Sequence, residues 1–233
     1  MQGLRGRYNY GNHAIIEFPE KGGPFHINTS PFRFGQVKPD AFSNPAIGEY
    51  SALKTGARFD SLESVPLADG GKTSLSLYPA RPGFEDLVMV TSDSEKLAWT
   101  AVTLDGYIWF SLKDPRVLPS TLFWISNGGR HYEPWNGRHR NRIGLEEVNS
   151  HFCDGLQQSR RNLLADQHIP TTGHFSARKP KSIRIVQAVH PVPRGFGKVV
   201  AIAPDAAREA VTVTGSSRRK VVVPVNWRFL ETD

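Results

Sequence analysis

Glycine and proline are scattered along the whole chain, and the segments between them are too short for anything but strands. There are 21 Gly and 17 Pro among 233 residues, and helical periodicity is nearly absent. Segments of β-type composition fall at 13–18, 74–77, 87–91, 97–104, 107–112, 121–126, 182–188, 198–203, 210–214 and 220–229. Asp105-Gly106 separates two of them and is the strongest hairpin signal in the chain, because a type I′ turn needs positive φ. A second hairpin is expected around Gly215-Ser216-Ser217, between VTVT and KVVVPV. The one helix candidate is 154–167, where Leu156, Leu163 and Leu164 share a face and Asp154 is placed to cap it; 171–180 reads as loop. Many short antiparallel strands imply an all-β fold, a large antiparallel β-sandwich with one short helix. No internal linker stands out, so residues 1–233 read as a single domain.

Bulk chemistry narrows the function. Hydrophobic residues make up 39% of the chain, enough for a core, and no run of apolar residues is long enough to span a bilayer. The first fifteen residues lack the apolar stretch of a secretory signal, and a lone cysteine, Cys153, fits a reducing compartment. Both point to the cytoplasm. The net charge of +7 is divided among short patches at Arg160–Arg161, 179–184 and 218–220. Short patches of this kind fit solvated faces and turns better than a nucleic-acid surface. There is no CxxC, no helical HExxH, no GxSxG, no P-loop and no GxGxxG, so phosphate-cradle nucleotide chemistry is not expected.

Chemistry-bearing residues concentrate in 124–152, WISNGGRHYEPWNGRHRNRIGLEEVNSHF. This stretch holds four arginines, three histidines, two tryptophans and the adjacent carboxylates Glu146 and Glu147. Aromatic faces, planar donors and a carboxylate able to move a proton are what a sugar-binding cleft requires. On a strand Glu146 and Glu147 face opposite sides, so one can enter a cleft while the other meets solvent. The bland alternative is a salt bridge from Glu146 to Arg140 or Arg142. Phe123, Trp124, Tyr132 and Trp135 could form a stacking platform, with at least one of Phe123 and Trp124 in the core and Trp135 exposed in a loop. His13 stands at a loop-to-strand junction among aromatics and an amide, a setting that suits a proton donor and equally a hydrogen-bonded structural residue. His26, in GGPFHINTSPFRFG, has a similar setting.

The pattern resembles the aldose 1-epimerase (galactose mutarotase-like) superfamily in three places. Gly144-Leu145-Glu146 is similar to that family's catalytic glutamate motif, although Glu147 stands where many members have proline. Asn12-His13 before an apolar strand is similar to its acid-histidine position. The C-terminal run SIRIVQAVHPVPRGFGKV, VTVTG, VVVPVNWRFL looks like its closing strands. The family's domains are usually longer, so the resemblance implies a supersandwich lacking the usual N-terminal strands. It further implies an isomerase that interconverts the α and β anomers of a hexose, with Glu146 as base and His13 as acid. His26, Arg130, His131, Trp135 and Arg138 would bind the sugar, or its anionic group in the subclass that takes phosphorylated hexoses. The implied partner is a small carbohydrate, with no cofactor, metal, nucleic acid or membrane, and the oligomeric state stays open. The competing class is a carbohydrate-binding β-sandwich without catalysis, which needs Trp135 and the arginines but no proton pair. A nucleic-acid-binding β-protein is the third reading and rests on charge alone.

Overall fold

The computed structural model describes residues 5–78, 81–178 and 180–231. The first four residues of the N-terminal stretch, and Lys179 of the 179–184 basic patch, fall outside them. The fold is an all-β antiparallel sandwich extended to three layers. A six-stranded sheet runs in the order Gly11–Glu17, Arg142–Val148, Ser120–Asn127, Phe84–Ser92, Phe32–Val37, Arg58–Phe59. It packs on a five-stranded sheet ordered Ile185–Pro191, Tyr107–Lys113, Ala98–Leu104, Phe25–Thr29, Leu77–Tyr78. A three-stranded sheet of Val199–Asp205, Ala210–Gly215 and Lys220–Pro224 covers the other side of the five.

Alternation along the strands builds these layers. Phe123, Ile125, Ile143, Leu145, Val88 and Val90 point from the six-stranded sheet toward Ile27, Val102, Leu104 and Trp109 of the five-stranded one. On Ala98–Leu104 the other set of side chains, Trp99 and Ala101, joins Ile108 and Phe110 against Phe196, Ile202, Val211 and Val213. The middle sheet is therefore covered on both faces here, which is why every residue of this strand is buried, Thr100 and Thr103 included. Full burial of a side chain such as Phe123 or Phe110 contributes about 2 kcal/mol. Among the described residues no helix is long and apolar enough to cross a membrane.

The two expected hairpins form. Leu104 pairs with Tyr107 across Asp105-Gly106, and Thr214 pairs with Lys220. The first turn is not type I′, however: Gly106 has φ 82° while Asp105 stays out of the left-handed region. The helix is shorter than its leucine spacing suggests. It spans Gly155–Arg161 and stops where Asn162 turns left-handed at φ 47°, before a 3₁₀ turn at Ala165–Gln167. Leu156 and Leu163 are 37% and 56% exposed and only Leu164 is buried, so the three do not share a packed face. Asp154 does not cap the helix. Its carboxylate takes Lys38 Nζ at 2.6 Å and His151 Nδ1 at 3.0 Å, which ties this segment to the six-stranded sheet. The expected strand 220–229 ends at Pro224 and gives way to a 3₁₀ turn at Trp227–Leu230, and the expected loop 171–180 contains the strand Gly173–Phe175.

Candidate functional site

The site lies on the outer face of the six-stranded sheet, opposite the sandwich core. Antiparallel register lines up three rows there. His13 stands beside Glu146, then Leu122, then Met89; Ile15 beside Gly144, Trp124 and Leu87; Glu17 beside Arg142, Ser126 and Glu85. Phe152, Leu164 and Ile169 cover Leu122 and Met89. The other two rows are overhung by the loop between Asn127 and Arg142. That loop docks tightly: a Cβ on Gly129 would lie 2.2 Å from the Glu85 backbone nitrogen, so only glycine allows the approach.

Glu146 and His13 meet directly. His13 Nδ1 stands 2.7 Å from Glu146 Oε1, with the carboxylate largely buried and the ring half exposed. Burial raises the Glu146 pKa above the ordinary carboxylate range, and the His13 contact opposes that shift without cancelling it. Gly144 leaves the room for the contact. A Cβ there would meet Glu146 Oε1 at 3.1 Å, His13 Cε1 at 3.2 Å and Trp124 Cβ at 3.3 Å. The glycine two residues before the glutamate is thus a steric requirement of the pair. On its far side Glu146 opens onto a small cavity of about 220 Å³ shared with Tyr10, Leu122, Phe152 and Cys153.

Aromatic and cationic groups continue the site. His13 stacks on Trp124 with centroids 5.7 Å apart, and His139 stacks on Trp124 at 5.4 Å. Trp135 meets His139 edge-on at 5.1 Å. The Arg130 guanidinium lies 5.5 Å from the Trp124 ring and 5.3 Å from the Trp135 ring, and its Nε is 3.7 Å from Glu49. Beneath them Glu85, 1% exposed, accepts the Ser126 hydroxyl at 2.6 Å and the Trp124 indole N–H at 3.0 Å. Burial pushes Glu85 up to about 7, against the pull of Ser126, Arg130 and Trp124. Burial and the nearby Arg142 and Arg130 charges push His139 down. Among the described residues no three His, Cys, Asp or Glu side chains gather into a metal-holding group.

Of the residues singled out from the sequence, Glu146, His13, Arg130 and Trp135 come together here. His131 sits at the rim, edge-on to Tyr50 at 5.5 Å. Arg138 lies beside the site, in an open cleft of about 960 Å³ with Glu17, Glu20, Arg140 and Arg142. His26 is elsewhere: it belongs to the five-stranded sheet and lines a separate cavity with Glu63, Ser76 and Lys198. Its setting resembles that of His13 in sequence, but the strand that carries it goes to the other sheet. Arg142 pairs with Glu17 at 2.7 Å rather than with Glu146. Glu147 does not meet solvent. It is fully buried and pairs with the equally buried Lys113 at 2.5 Å. Trp124 was expected only as part of a stacking platform, and His139, Ser126, Glu49 and Glu85 were not anticipated as site residues. For Glu85 the available signal was an acidic doublet, Glu85-Asp86, opening an otherwise apolar strand.

No protein-family model, curated protein or solved structure matches the chain.

Proposed function

We propose that this protein is a sugar isomerase of the aldose 1-epimerase type, interconverting the α and β anomers of a hexose through Glu146 and His13. The observation that carries the reading is the pairing itself. A carboxylate with raised pKa and a half-exposed imidazole stand 2.7 Å apart on neighbouring strands, on an open sheet face beside Trp124. The strands that bring them together are far apart in sequence, and the Gly144-Leu145-Glu146 motif that suggested the resemblance also makes space for the contact.

Chemically, the pair starts as carboxylate and imidazolium. Glu146 takes the proton of the anomeric hydroxyl through its oxygen not bound to His13. The C1–O5 bond opens, and His13 Nε2–H gives its proton to the ring oxygen. The pair is left as carboxylic acid and neutral imidazole. Rotation about C1–C2 and the reverse transfers close the ring with the other face of C1 attacked, and the pair returns to its starting state. Coupled proton transfer of this kind contributes typically 10²–10⁴-fold. Trp124 and Trp135 supply apolar faces for the sugar's C–H surface.

The test is NMR of freshly dissolved α-glucose, α-galactose and glucose 6-phosphate, with wild type and Glu146→Gln. Acceleration lost in the variant, with sugar binding kept, supports the assignment. Binding without acceleration in the wild type moves the protein to the non-catalytic carbohydrate-binding class. Equal rates in wild type and variant refute Glu146 as base.

A further inference from the structure

Ser126 has no exposed surface and sits between Glu85 and His139. Its Oγ is 2.6 Å from Glu85 Oε1 and also hydrogen-bonds His139 Nδ1. A hydroxyl has one proton, and a carboxylate can only accept. With Glu85 ionised, Ser126 donates to Glu85 and His139 Nδ1–H donates to Ser126. The tautomer of His139 is thereby set, and its Nε2 is a free lone pair without a further partner among the described residues. Trp124 Nε1–H binds the other Glu85 oxygen, Oε2, at 3.0 Å, so a proton arriving on Glu85 goes to Oε1, facing Ser126. The whole chain of bonds then reverses. Glu85 donates to Ser126, Ser126 donates to His139 Nδ1, and His139 carries its proton on Nε2.

We propose that Glu85, Ser126 and His139 form a proton relay whose working atom is His139 Nε2, a second proton-transfer site beside Trp124 that serves a ligand oxygen independently of the His13–Glu146 pair. In the donating direction His139 Nε2–H gives its proton to the ligand oxygen, Nδ1 takes the Ser126 proton, and Ser126 takes the Glu85 proton. The relay ends as ionised Glu85, Ser126–OH and the Nδ1–H tautomer, one proton having left. The accepting direction is the reverse. The charged and titratable groups around Glu85 are Arg130 from the overhanging loop, Asp86 on its own strand and the Tyr78 phenol from the five-stranded sheet, which burial keeps neutral; those around His139 are Arg142, Arg130 and Glu17. Burial raises Glu85 to about 7 and lowers His139. Near neutral pH the imidazole therefore stays uncharged while the carboxyl exchanges its proton, as a relay requires. The ring stacked on Trp124 and braced by the edge of Trp135 is held for the task.

Nitrogen NMR of the His139 ring, followed from about pH 9 to about pH 6, tests this without any substrate. In the wild type the ring proton should sit on Nδ1 in alkali and move to Nε2 as the pH falls through about 7. In Glu85→Gln the side-chain amide donates to Ser126 in place of the protonated acid, and His139 should stay in the Nε2–H form throughout. In Ser126→Ala the tautomer should no longer follow Glu85. A His139 ring whose tautomer ignores pH until it becomes charged, or whose response survives Ser126→Ala, would overturn the relay. Sugar turnover is not a readout here, so either result leaves the test of Glu146 separate.

Discussion

Glu85 should make the protein less stable as the pH rises, and the size of the effect follows from its burial. The side chain is 1% exposed, and its pKa is raised from 4.5 to about 7 by loss of hydration, which two hydrogen bonds and Arg130 only partly offset. Between those values the folded protein holds a proton that the unfolded chain has released. A state that binds the proton more tightly loses ground as protons become scarce, so the stability present at acid pH is lost as the pH rises through the folded pKa. Each unit of pKa is worth about 1.4 kcal/mol, which makes the loss roughly 3 kcal/mol. Glu85→Gln keeps the shape and the acceptor for Trp124 but cannot ionise. Urea unfolding of both proteins at about pH 4.5, 6 and 8 isolates the effect, because every other titrating group is common to the two. With an m-value of about 2 kcal/mol per molar, the urea midpoint of the variant should gain about 1.5 M on the wild type across that range. A difference between the two that stays flat with pH would refute the reasoning: Glu85 would then titrate as an ordinary carboxylate, reached by water in the folded state.

Three further outcomes test the site and its support. Gly144→Ala should cost about 1–2 kcal/mol in a denaturation curve, because the new methyl meets Glu146, His13 and Trp124 at 3.1–3.3 Å, and it should lower sugar turnover by disturbing the pair. Trp135→Ala should weaken sugar binding measured by titration calorimetry while sparing turnover per bound sugar, since the ring lies against Arg130 and His139 and touches neither Glu146 nor His13. Lys113→Met should destabilise by about 3–5 kcal/mol by leaving Glu147 charged and unpaired in the core, and Lys113→Met with Glu147→Leu should recover most of that in the same unfolding assay.

What was legible in the sequence was what is decided locally. The hairpin at Asp105-Gly106 joins neighbouring segments, and the opposite facing of Glu146 and Glu147 follows from the two-residue period of a strand. What was not legible depends on register between distant strands. His13 and His26 have the same local surroundings, yet one strand pairs with Arg142–Val148 and the other with Ala98–Leu104, so only His13 reaches the site. The helix was overextended because leucine spacing says nothing about Asn162 turning left-handed. Glu85 hid inside an apolar strand, and its partners Trp124 and Ser126 lie 39 and 41 residues away, with His139 reached only through Ser126.

The two acidic doublets point to a common physical cause. Glu85-Asp86 and Glu146-Glu147 each occupy a strand of the six-stranded sheet, and each sends one carboxylate to the outer face and the other to the interior. The inward members are neutralised by cations buried with them: Asp86 by Arg81 at 3.5 Å, with backbone N–H donors from Ala52 and Leu53, and Glu147 by Lys113. The outward members form no ion pair with Lys or Arg among the described residues: Glu85 feels the Arg130 charge, Glu146 meets His13, and burial raises the pKa of both, as it also raises that of Asp86. An acidic doublet in an otherwise apolar strand therefore carries two separable messages. The inner carboxylate requires a buried cation and concerns stability. The outer one stands on a half-dry sheet face beside Trp124, where burial raises its pKa and its neighbours only partly oppose that, which is the condition under which a carboxylate can exchange protons near neutral pH. Both outer carboxylates stand against the Trp124 side of the sheet, and that coincidence, rather than either residue alone, is the argument for chemistry at this face.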